Sequence, residues 1–399
     1  MLGERLRNHR LTGVRLPGPA EVVAWLGAVQ AQDLPGALWA LALRIDGDVT
    51  QQALLQAYDE GQILRTHILR PTWHFVTPAA LRWMLSLSAP RVHGANGHRY
   101  RQLGVDGRTR LRAERVIQRA LEGGGHLTRH DLAAALRRAR VAPDGQRLVY
   151  LLMHAELEGL ICSGARRGND STYALVDERV PPAPAVTRDE ALARLVTRYF
   201  TSHGPATLHD CAWWSGLTIR DLREGVALAG DALEQRAIDG REYWVGRDGS
   251  PTCPPEPEWR RRSRPLDPPR PLARPDGSSS SAPVHLLPNF DEFTVAYRDR
   301  AALLAASTPT TSAMQMALLS QPVMVGGRSV GTWRRTLHDR PLPAAGRSTS
   351  AVHGPRSTGF VEVSVTLNAP VARGTRQAVE RAASAYGWHV ERSLVLQVT

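Results

Sequence analysis

The sequence predicts an α+β protein in which helix–turn–helix–hairpin units follow one another and a mostly β domain ends the chain. The first observation behind this prediction is a capping pattern, Thr followed three residues later by an acid, which opens short segments of helical apolar periodicity. The second is that two β-rich runs around a turn follow the helices. The third is a change of composition after about residue 247, where Pro, Arg and Ser dominate.

The unit predicted over residues 106–182 has the clearest order of elements. Thr128 and Asp131 form the capping pattern at the start of one helix. A second helix is predicted over 146–160, where apolar residues recur at helical spacing. Two short strands are predicted over 161–176, on either side of a Gly-Asn-Asp turn. Helix, turn, helix and two-stranded ribbon is the order of a winged helix.

Residues 183–246 repeat this order. A helix ends near Gly204, Thr207 and Asp210 form another capping pattern, and a hairpin is predicted to turn at Asp239-Gly240. Such units also serve as structural or protein-binding modules. Their repetition in a basic chain favours DNA as the partner.

The flanking regions are less regular. Residues 1–105 hold several short helices, the strand pair ILRTHILRPTWHFV and a helix over 78–92, which together predict a third, diverged winged helix. Residues 247–283 are too poor in apolar side chains to offset the entropy of ordering, which predicts a linker or a disordered loop. Residues 284–399 read as a mostly β domain with one helix.

The charge of the chain favours a polyanionic partner. The formal net charge is +12, and all 50 basic residues are arginine, which is also typical of a GC-rich genome. Without lysine, no side-chain amine is available to form a Schiff base. The three cysteines lie far apart, which predicts neither disulfides nor a zinc site. With no apolar leader and no membrane-length apolar run, we expect a soluble cytoplasmic protein associated with the nucleoid.

The stretch AVQAQDLPGALWAL places two uncharged amides, Gln30 and Gln32, between two predicted helices. Side chains two residues apart face the same way only in extended backbone. Asp33, followed by Leu34-Pro35, predicts a helix N-cap with proline in the first turn. The two amides are therefore predicted to point at one spot from an extended segment. The alternative is that they cap backbone groups or face solvent.

Other polar patterns are weaker. His126 and His130 are four residues apart but lie on either side of the Thr128 cap, and His154 with Glu158 has no third ligand nearby in the sequence. We therefore predict no metal and no cofactor. The hairpin tip Gly326-Gly327 would let Arg328 reach a phosphate or the minor groove, although any surface hairpin needs turn residues.

Several motifs together resemble the winged-helix DNA glycosylases of the AlkZ type. They are QAQDLPGALWALALR, ILRPTWHFVTPAALRWML, RYFTSHGPATLHDCAWWSGL, and HLLPNFDEFTVAYRDR with GRSVGTWRR, in the family's order. The resemblance implies three tandem winged helices plus a C-terminal β domain, forming a basic, C-shaped DNA cradle. It also implies a catalytic Gln-apolar-Gln motif, which Gln30-Ala31-Gln32 matches. The insertion at 247–283 departs from the family pattern.

The branch with two glutamines removes N7-alkylated guanines, including bulky adducts and crosslinks, and some members protect the producer of a DNA-alkylating antibiotic. The resemblance therefore implies a monomeric glycosylase acting on double-stranded DNA that contains alkylated guanine. An amide is not a general base. It suffices here because the base departs readily as a neutral molecule, so the amides need only position a water. Without lysine, we expect no lyase activity.

Further site residues are predicted around the glutamine pair. Arg70 and His74 are predicted to face DNA, Thr72 and Asp33 to support the site, and Trp73 to lie in the core. In the NFDEFTVAYRDR block, supporting or DNA-binding roles are predicted for three residues, with an ion-paired packing motif as the alternative: Asp291, Tyr297 and Arg298.

Two other functions compete with the glycosylase. A winged-helix transcription regulator would prefer a DNA sequence and show dimer symmetry, for which the chain has no evident element. A drug-sequestering resistance protein would bind the free alkylating compound and protect DNA only before the adduct forms.

Overall fold

The structure, a computed structural model, describes residues 1–247, 282–304, 319–340 and 359–399. The first unit of the chain combines short helices with a small antiparallel sheet whose strands are ordered β1–β3–β2. Its helices are α1 (Leu2–Asn8), α2 (Pro19–Leu26), α3 (Leu34–Ala42) and α4 (Gln51–Asp59), and its strands are β1 (Val29–Gln30), β2 (Leu64–His67) and β3 (Trp73–Val76). The predicted strand pair is confirmed, and β1 joins it as a third strand.

The helix predicted over 78–92 is longer in the structure, where α5 spans Pro78–Gln102 and includes Pro90. Its second half buries Val92, Asn96 and Tyr100, which repeat every four residues along one face. That face packs against the next unit of the chain. The extension therefore depends on tertiary packing, because residues 91–102 are mostly polar and include two glycines, which disfavour an isolated helix.

The second unit has the predicted order of elements. It comprises α6 (Gly107–Leu121), β4 (Leu127–Thr128), α7 (Arg129–Arg138), α8 (Gln146–Leu157), β5 (Ile161–Ser163) and β6 (Thr172–Leu175), followed by the short α9 (Val176–Arg179). Thr128 and Asp131 make both hydrogen bonds of a capping box at the start of α7. The sheet order is β4–β6–β5, so the hairpin lies against the helices as in a winged helix.

The third unit also follows the prediction. It comprises α10 (Arg188–His203), α11 (Leu208–Ser215), α12 (Ile219–Ala229), β7 (Leu233–Ile238) and β8 (Arg241–Gly246). The Thr207–Asp210 capping box is present, Gly204 ends α10, and β7 and β8 pair through the turn at Asp239-Gly240. The number of winged-helix domains stays a prediction, as do the boundaries at 105, 182 and 246, which fall between these elements.

The C-terminal region is mostly β, as predicted. Within the described residues, its strands form one sheet in the order β13–β12–β11–β10–β9. The elements are β9 (Val284–Leu286), α13 (Glu292–Val295), β10 (Pro322–Val325), β11 (Arg328–His338), β12 (Phe360–Leu367), α14 (Arg373–His389) and β13 (Ser393–Val398). β12 and β13 are parallel because α14 crosses between them. The α+β fold class is confirmed.

Two hydrophobic cores join units that are distant in sequence. One core combines α5 and α10 and includes Tyr297. The other packs Trp39 of α3 against Tyr386 of α14, with ring centroids 5.2 Å apart, and Tyr386 against Trp333 of β11 at 5.0 Å. This packing holds the 282–304 segment against the β1 region.

The linker predicted over 247–283 lies almost entirely outside the described residues, which stop at 247 and resume at 282. Cys253 falls in that gap, whereas Cys162 and Cys211 are buried and free of disulfides. Among the helices that the structure describes, none is both long and apolar enough to cross a membrane.

Candidate active site

Gln30 lies in a short extended strand, and Gln32 follows it in a bend before α3. In β1, Gln30 pairs with His74 of β3 in antiparallel register, and the Ala31 amide donates to the Trp73 carbonyl at 2.7 Å. Ala31 is completely buried. The strand ends at Gln30, so only the hydrogen bonds of the two carboxamides show where the Gln30 and Gln32 side chains meet.

The two carboxamides converge on one segment, residues 70–73. The Gln30 oxygen accepts a hydrogen bond from Arg70 Nη2 at 3.0 Å, and the Gln32 oxygen accepts a longer one from the Trp73 amide at 3.4 Å. Gln30 is 8% exposed, whereas Gln32 is open to solvent. One amide is therefore fixed by a guanidinium and the other is free to take a ligand.

The residues after the pair begin α3. Asp33 occupies the N-cap with an extended backbone, and Pro35 lies in the first turn, as predicted. The Asp33 side chain makes no capping hydrogen bond; its carboxylate instead lies 3.5 Å from Arg335 Nη2 of β11. The backbone therefore leads into α3 directly after Gln32.

A buried carboxylate supports the strand from below. Glu292 Oε1 accepts from the Gln30 amide at 2.7 Å, its Oε2 accepts from Trp214 Nε1 at 2.9 Å, and His203 Nε2 lies 3.5 Å from Oε2. Burial by itself raises the pKa of Glu292, but the contact with His203 and the hydrogen bond from the Gln30 amide outweigh it. The net pKa is lowered, so the group is ionised at neutral pH.

Glu292 is not among the residues that the sequence predicts for the site, whose predicted acid in this block is Asp291. Two adjacent acids give no signal for which one faces the site. Asp291 is the N-cap of α13 and Glu292 its first residue, and only tertiary packing shows that Glu292 meets Gln30.

His74, predicted to face DNA, is instead fully buried, because β3 is the central strand of its sheet. Its Nδ1 lies 2.9 Å from the Thr72 carbonyl, so Nδ1 carries the proton and Nε2 the lone pair. Nε2 has no hydrogen-bond partner among the described residues, nor has the Thr72 hydroxyl. Burial, followed by the charge of Arg70, lowers the pKa of His74 to about 4. The ring is therefore a neutral support for β1.

An exposed aromatic ring adjoins the glutamine pair. Trp213 is 44% exposed, and its Nε1 donates to the Val295 carbonyl at 3.0 Å. The Arg70 and Arg300 guanidinium carbons lie 5.9 and 5.6 Å from its ring centroid. Sequence reasoning did not single out Trp213. The result is a fixed, solvent-facing ring flanked by two positive charges, a combination suited to nucleobases and phosphates.

Trp73 was predicted to lie in the core but is only half-buried. Its ring lies beneath the Arg65 guanidinium, 4.2 Å from the centroid, and beside His67 at 4.8 Å. Arg65 also donates to the Ala31 carbonyl at 2.8 Å. Trp73 and Arg65 therefore form the outer side of the segment that bears the glutamines.

Two residues of the NFDEFTVAYRDR block lie inside the protein. Asp291 pairs with the Arg44 guanidinium through two hydrogen bonds of 2.7 and 2.8 Å, and both side chains are buried. The Tyr297 hydroxyl lies 2.8 Å from His9 Nε2 and donates to the His203 carbonyl at 2.7 Å. Asp291 therefore matches the alternative of an ion-paired packing motif, and Tyr297 reaches the site only through His203 and Glu292.

The two arginines predicted to bind DNA elsewhere are exposed and do not bond to the glutamine pair within the described chain. The Arg298 amide donates to Asp210, and its side chain lines a groove of about 890 Å³ beside α11 and α12. Arg328 donates to the Leu304 carbonyl at 3.0 Å, and the neighbouring Gly327 packs against α1. Their contacts with DNA stay predictions.

The expectation that His154 and Glu158 have no third ligand is wrong. α5 brings His93 next to them, and one ligand atom from each residue lies within 4.8 Å of the others. The other predicted candidate, His126, is not part of this cluster, and its ring accepts a hydrogen bond from the Ala165 amide at 2.8 Å. The long reach of α5 beyond its predicted end explains why sequence spacing missed His93.

Comparison with known proteins gives the context for this site. A family model described as DNA glycosylase AlkZ-like matches residues 23–388. Among solved structures, the DNA glycosylase AlkZ of Streptomyces sahachiroi is similar, with a TM-score of 0.72 and 21% identity over 100% of this chain and 98% of that chain. At this identity, the similarity shows a shared fold. No curated protein is significantly similar in sequence.

Proposed function

This chain belongs to the AlkZ-like DNA glycosylase family, and we propose that it hydrolyses the N-glycosidic bond of N7-alkylated guanine in double-stranded DNA. The observation that carries the proposal is the pair Gln30 and Gln32, whose carboxamide oxygens both accept hydrogen bonds from the segment 70–73. Arg70 fixes the first amide, and the second is exposed next to it. The pair therefore offers acceptor oxygens at one place on the surface.

In this reaction the amides need only position a water molecule. Alkylation at N7 gives the base a formal positive charge, so the C1′–N9 bond breaks with its electron pair moving to a base that leaves neutral. A water then forms the new bond to C1′ and loses its proton to solvent. A carboxamide oxygen has two lone pairs, so Gln30 retains one after bonding Arg70. Gln32 and Gln30 together hold and aim the water.

The charges behind the strand favour this bond cleavage. Glu292 is ionised and contacts the Gln30 backbone, which places a fixed negative charge beneath the site. Fixed charges and dipoles stabilise the positive charge that develops at the sugar. The amides are too weak to activate an undamaged nucleoside, which favours selectivity for alkylated guanine.

Strand cleavage is not expected to follow base release. A glycosylase that also acts as a lyase attacks C1′ with an amine and forms a Schiff base. The chain contains no lysine, so its side chains offer no such amine. We propose a monofunctional enzyme that leaves an intact abasic site.

The test is to incubate the protein with a duplex containing one N7-methylguanine and to measure free base and strand breaks separately. We expect released N7-methylguanine and strand breaks only after alkali treatment. Breaks without alkali would contradict the monofunctional proposal. Sequence-dependent binding to undamaged DNA without base release would support a transcription regulator instead.

The rate of base release is expected to vary less than about twofold between pH 6 and 8. Neither glutamine ionises, burial holds the pKa of His74 at about 4, and the pKa of Glu292 is lowered. The measurement is the single-turnover rate at each pH. A tenfold change per pH unit in this range would indicate a titrating general base and contradict the amide mechanism.

Stability should respond to pH differently from rate. In the unfolded chain, His74 has an ordinary pKa near 6.5, above its folded value of about 4. As pH falls between these values, the unfolded state binds the proton first, so stability falls. Rates below pH 6 therefore need a matching circular dichroism measurement of the folded fraction.

Trp213 favours large aromatic adducts as substrates. A Trp213→Ala variant is expected to release a bulky aromatic N7-guanine adduct about tenfold more slowly, because stacking on an aromatic ring contributes about 1–3 kcal/mol. N7-methylguanine release should change little, and Trp213→Phe should retain most activity. The control is Leu228→Ala, which removes a side chain of similar exposure, 47%. An equal loss on both substrates would assign Trp213 to general DNA binding.

The proposed cellular setting follows from this substrate class. The enzyme acts as a monomer on nucleoid DNA, either in repair of alkylation damage or in self-protection of a cell that makes a DNA-alkylating compound. Release of bulky adducts and unhooking of crosslinks would favour self-protection, whereas activity confined to N7-methylguanine would favour general repair.

A further inference from the structure

A cluster of histidine and carboxylate side chains lies where α5 meets α8, and none of its members bonds to the glutamine pair in the described structure. Glu158 Oε1 lies 3.0 Å from His93 Nε2 and 3.7 Å from His154 Nε2. The ring centroids of the two histidines are 4.7 Å apart. Three potential ligand atoms, one from each residue, therefore lie within 4.8 Å of one another.

The geometry of the closest contact resembles two ligands of a common ion more than a hydrogen bond. His93 Nε2 is buried, and although Glu158 is 3.0 Å away, the oxygen does not lie in line with the ring N–H direction. Metal ligands point their lone pairs at the ion and not at each other. A cation between the three side chains would satisfy both the nitrogen and the carboxylate.

A polar group also lies close to the second nitrogen of each ring. The second nitrogen of His93, Nδ1, lies 2.9 Å from the Tyr100 hydroxyl. Nδ1 of His154 lies 2.9 Å from Glu114 Oε1. Metal-bound histidines in proteins usually contact a carboxylate or another acceptor through the nitrogen that does not bind the metal. In both rings, Nε2 is the nitrogen on the side of Glu158.

We propose that His93, His154 and Glu158 bind a zinc ion, with water as the fourth ligand. Two imidazoles and one carboxylate form a ligand set that zinc accepts in tetrahedral geometry. The Glu158 side chain is 51% exposed and borders a groove of about 440 Å³, so the ion has access from solvent. Because His93 lies on α5 and His154 on α8, the ion fastens the long helix to the second unit. Its role is structural and independent of base release.

The test uses the full-length, tag-free protein after chelator treatment and dialysis. Zinc is titrated by calorimetry, and bound zinc is measured by atomic emission after a further dialysis. We expect one zinc per chain and a rise in melting temperature on adding zinc. Cobalt in place of zinc should give the visible absorption bands of a tetrahedral ion.

Two variants and a matched control make the test decisive. Glu158→Gln keeps the size of an exposed side chain, and His93→Ala removes one imidazole; each should weaken zinc binding at least tenfold and abolish the rise in melting temperature. His98→Ala removes an exposed histidine from the same helix and should leave both unchanged. Absence of stoichiometric zinc binding, or equal binding by wild type and Glu158→Gln, would overturn the proposal.

Discussion

Replacing Gln32 with alanine is expected to slow the release of N7-methylguanine on the order of 100-fold, which corresponds to about 2.7 kcal/mol of transition-state stabilisation. Gln32 is exposed, and its oxygen has only the 3.4 Å contact with the Trp73 amide. Its removal therefore costs the fold little and takes away an acceptor for the attacking water. The measurement is single-turnover base release with excess enzyme, together with the melting temperature.

Gln118→Ala is the matched control, because Gln118 is an exposed glutamine on α6, away from β1. It should retain full activity. Gln30→Ala should also be slow, but it leaves Arg70 Nη2 without its acceptor, so its effect includes a stability cost. If both glutamines hold one water, the double variant loses less than the two single effects combined. Full activity of Gln32→Ala would refute the site assignment.

Replacing Asp291 with asparagine is expected to lower the free energy of unfolding by about 3–5 kcal/mol. Asp291 and Arg44 form a pair with both side chains at or below 1% exposure, so the variant leaves a buried guanidinium without its counter-charge. Asp291 also accepts a hydrogen bond from the Phe293 amide at the start of α13. The measurement is chemical denaturation, with activity normalised to the folded fraction.

Asp177→Asn provides the control for Asp291→Asn. Asp177 pairs with Arg82 at 2.8 Å, but the two side chains are 88% and 40% exposed. Water screens that pair, so its loss should cost about 1 kcal/mol or less. If Asp291→Asn unfolds with a normal free energy but the folded protein releases no base, Asp291 acts in the site and the packing interpretation is wrong.

The local elements of this protein are predictable because neighbouring residues decide them. The capping boxes at Thr128 and Thr207 require only residues three apart. The β7–β8 hairpin follows from Asp239-Gly240, whose two residues both have positive φ. By contrast, α5 extends ten residues beyond the predicted end at 92, because its second half packs against the second unit.

The site is only partly predictable, because most of its contacts join residues far apart in the sequence. The extended backbone at Gln30 and the start of α3 after Asp33 follow from local sequence, and the structure has both. Glu292 lies 262 positions from Gln30, and no local pattern indicates that its carboxylate meets the Gln30 amide. The burial of His74 likewise depends on β1 joining β2 and β3 as an outer strand.

By itself, the sequence determined the order of elements, the arginine-only positive charge and the change from a short strand to α3 around the two amides, because short-range sterics and composition fix these. Tertiary structure alone decided which side chains surround that pair. It placed Arg70 and Trp213 beside Gln30, Glu292 beneath it, and Asp291 in an internal ion pair. These contacts join residues far apart in the chain, and they form only when α3, α10, α11 and the C-terminal sheet bury their apolar faces together.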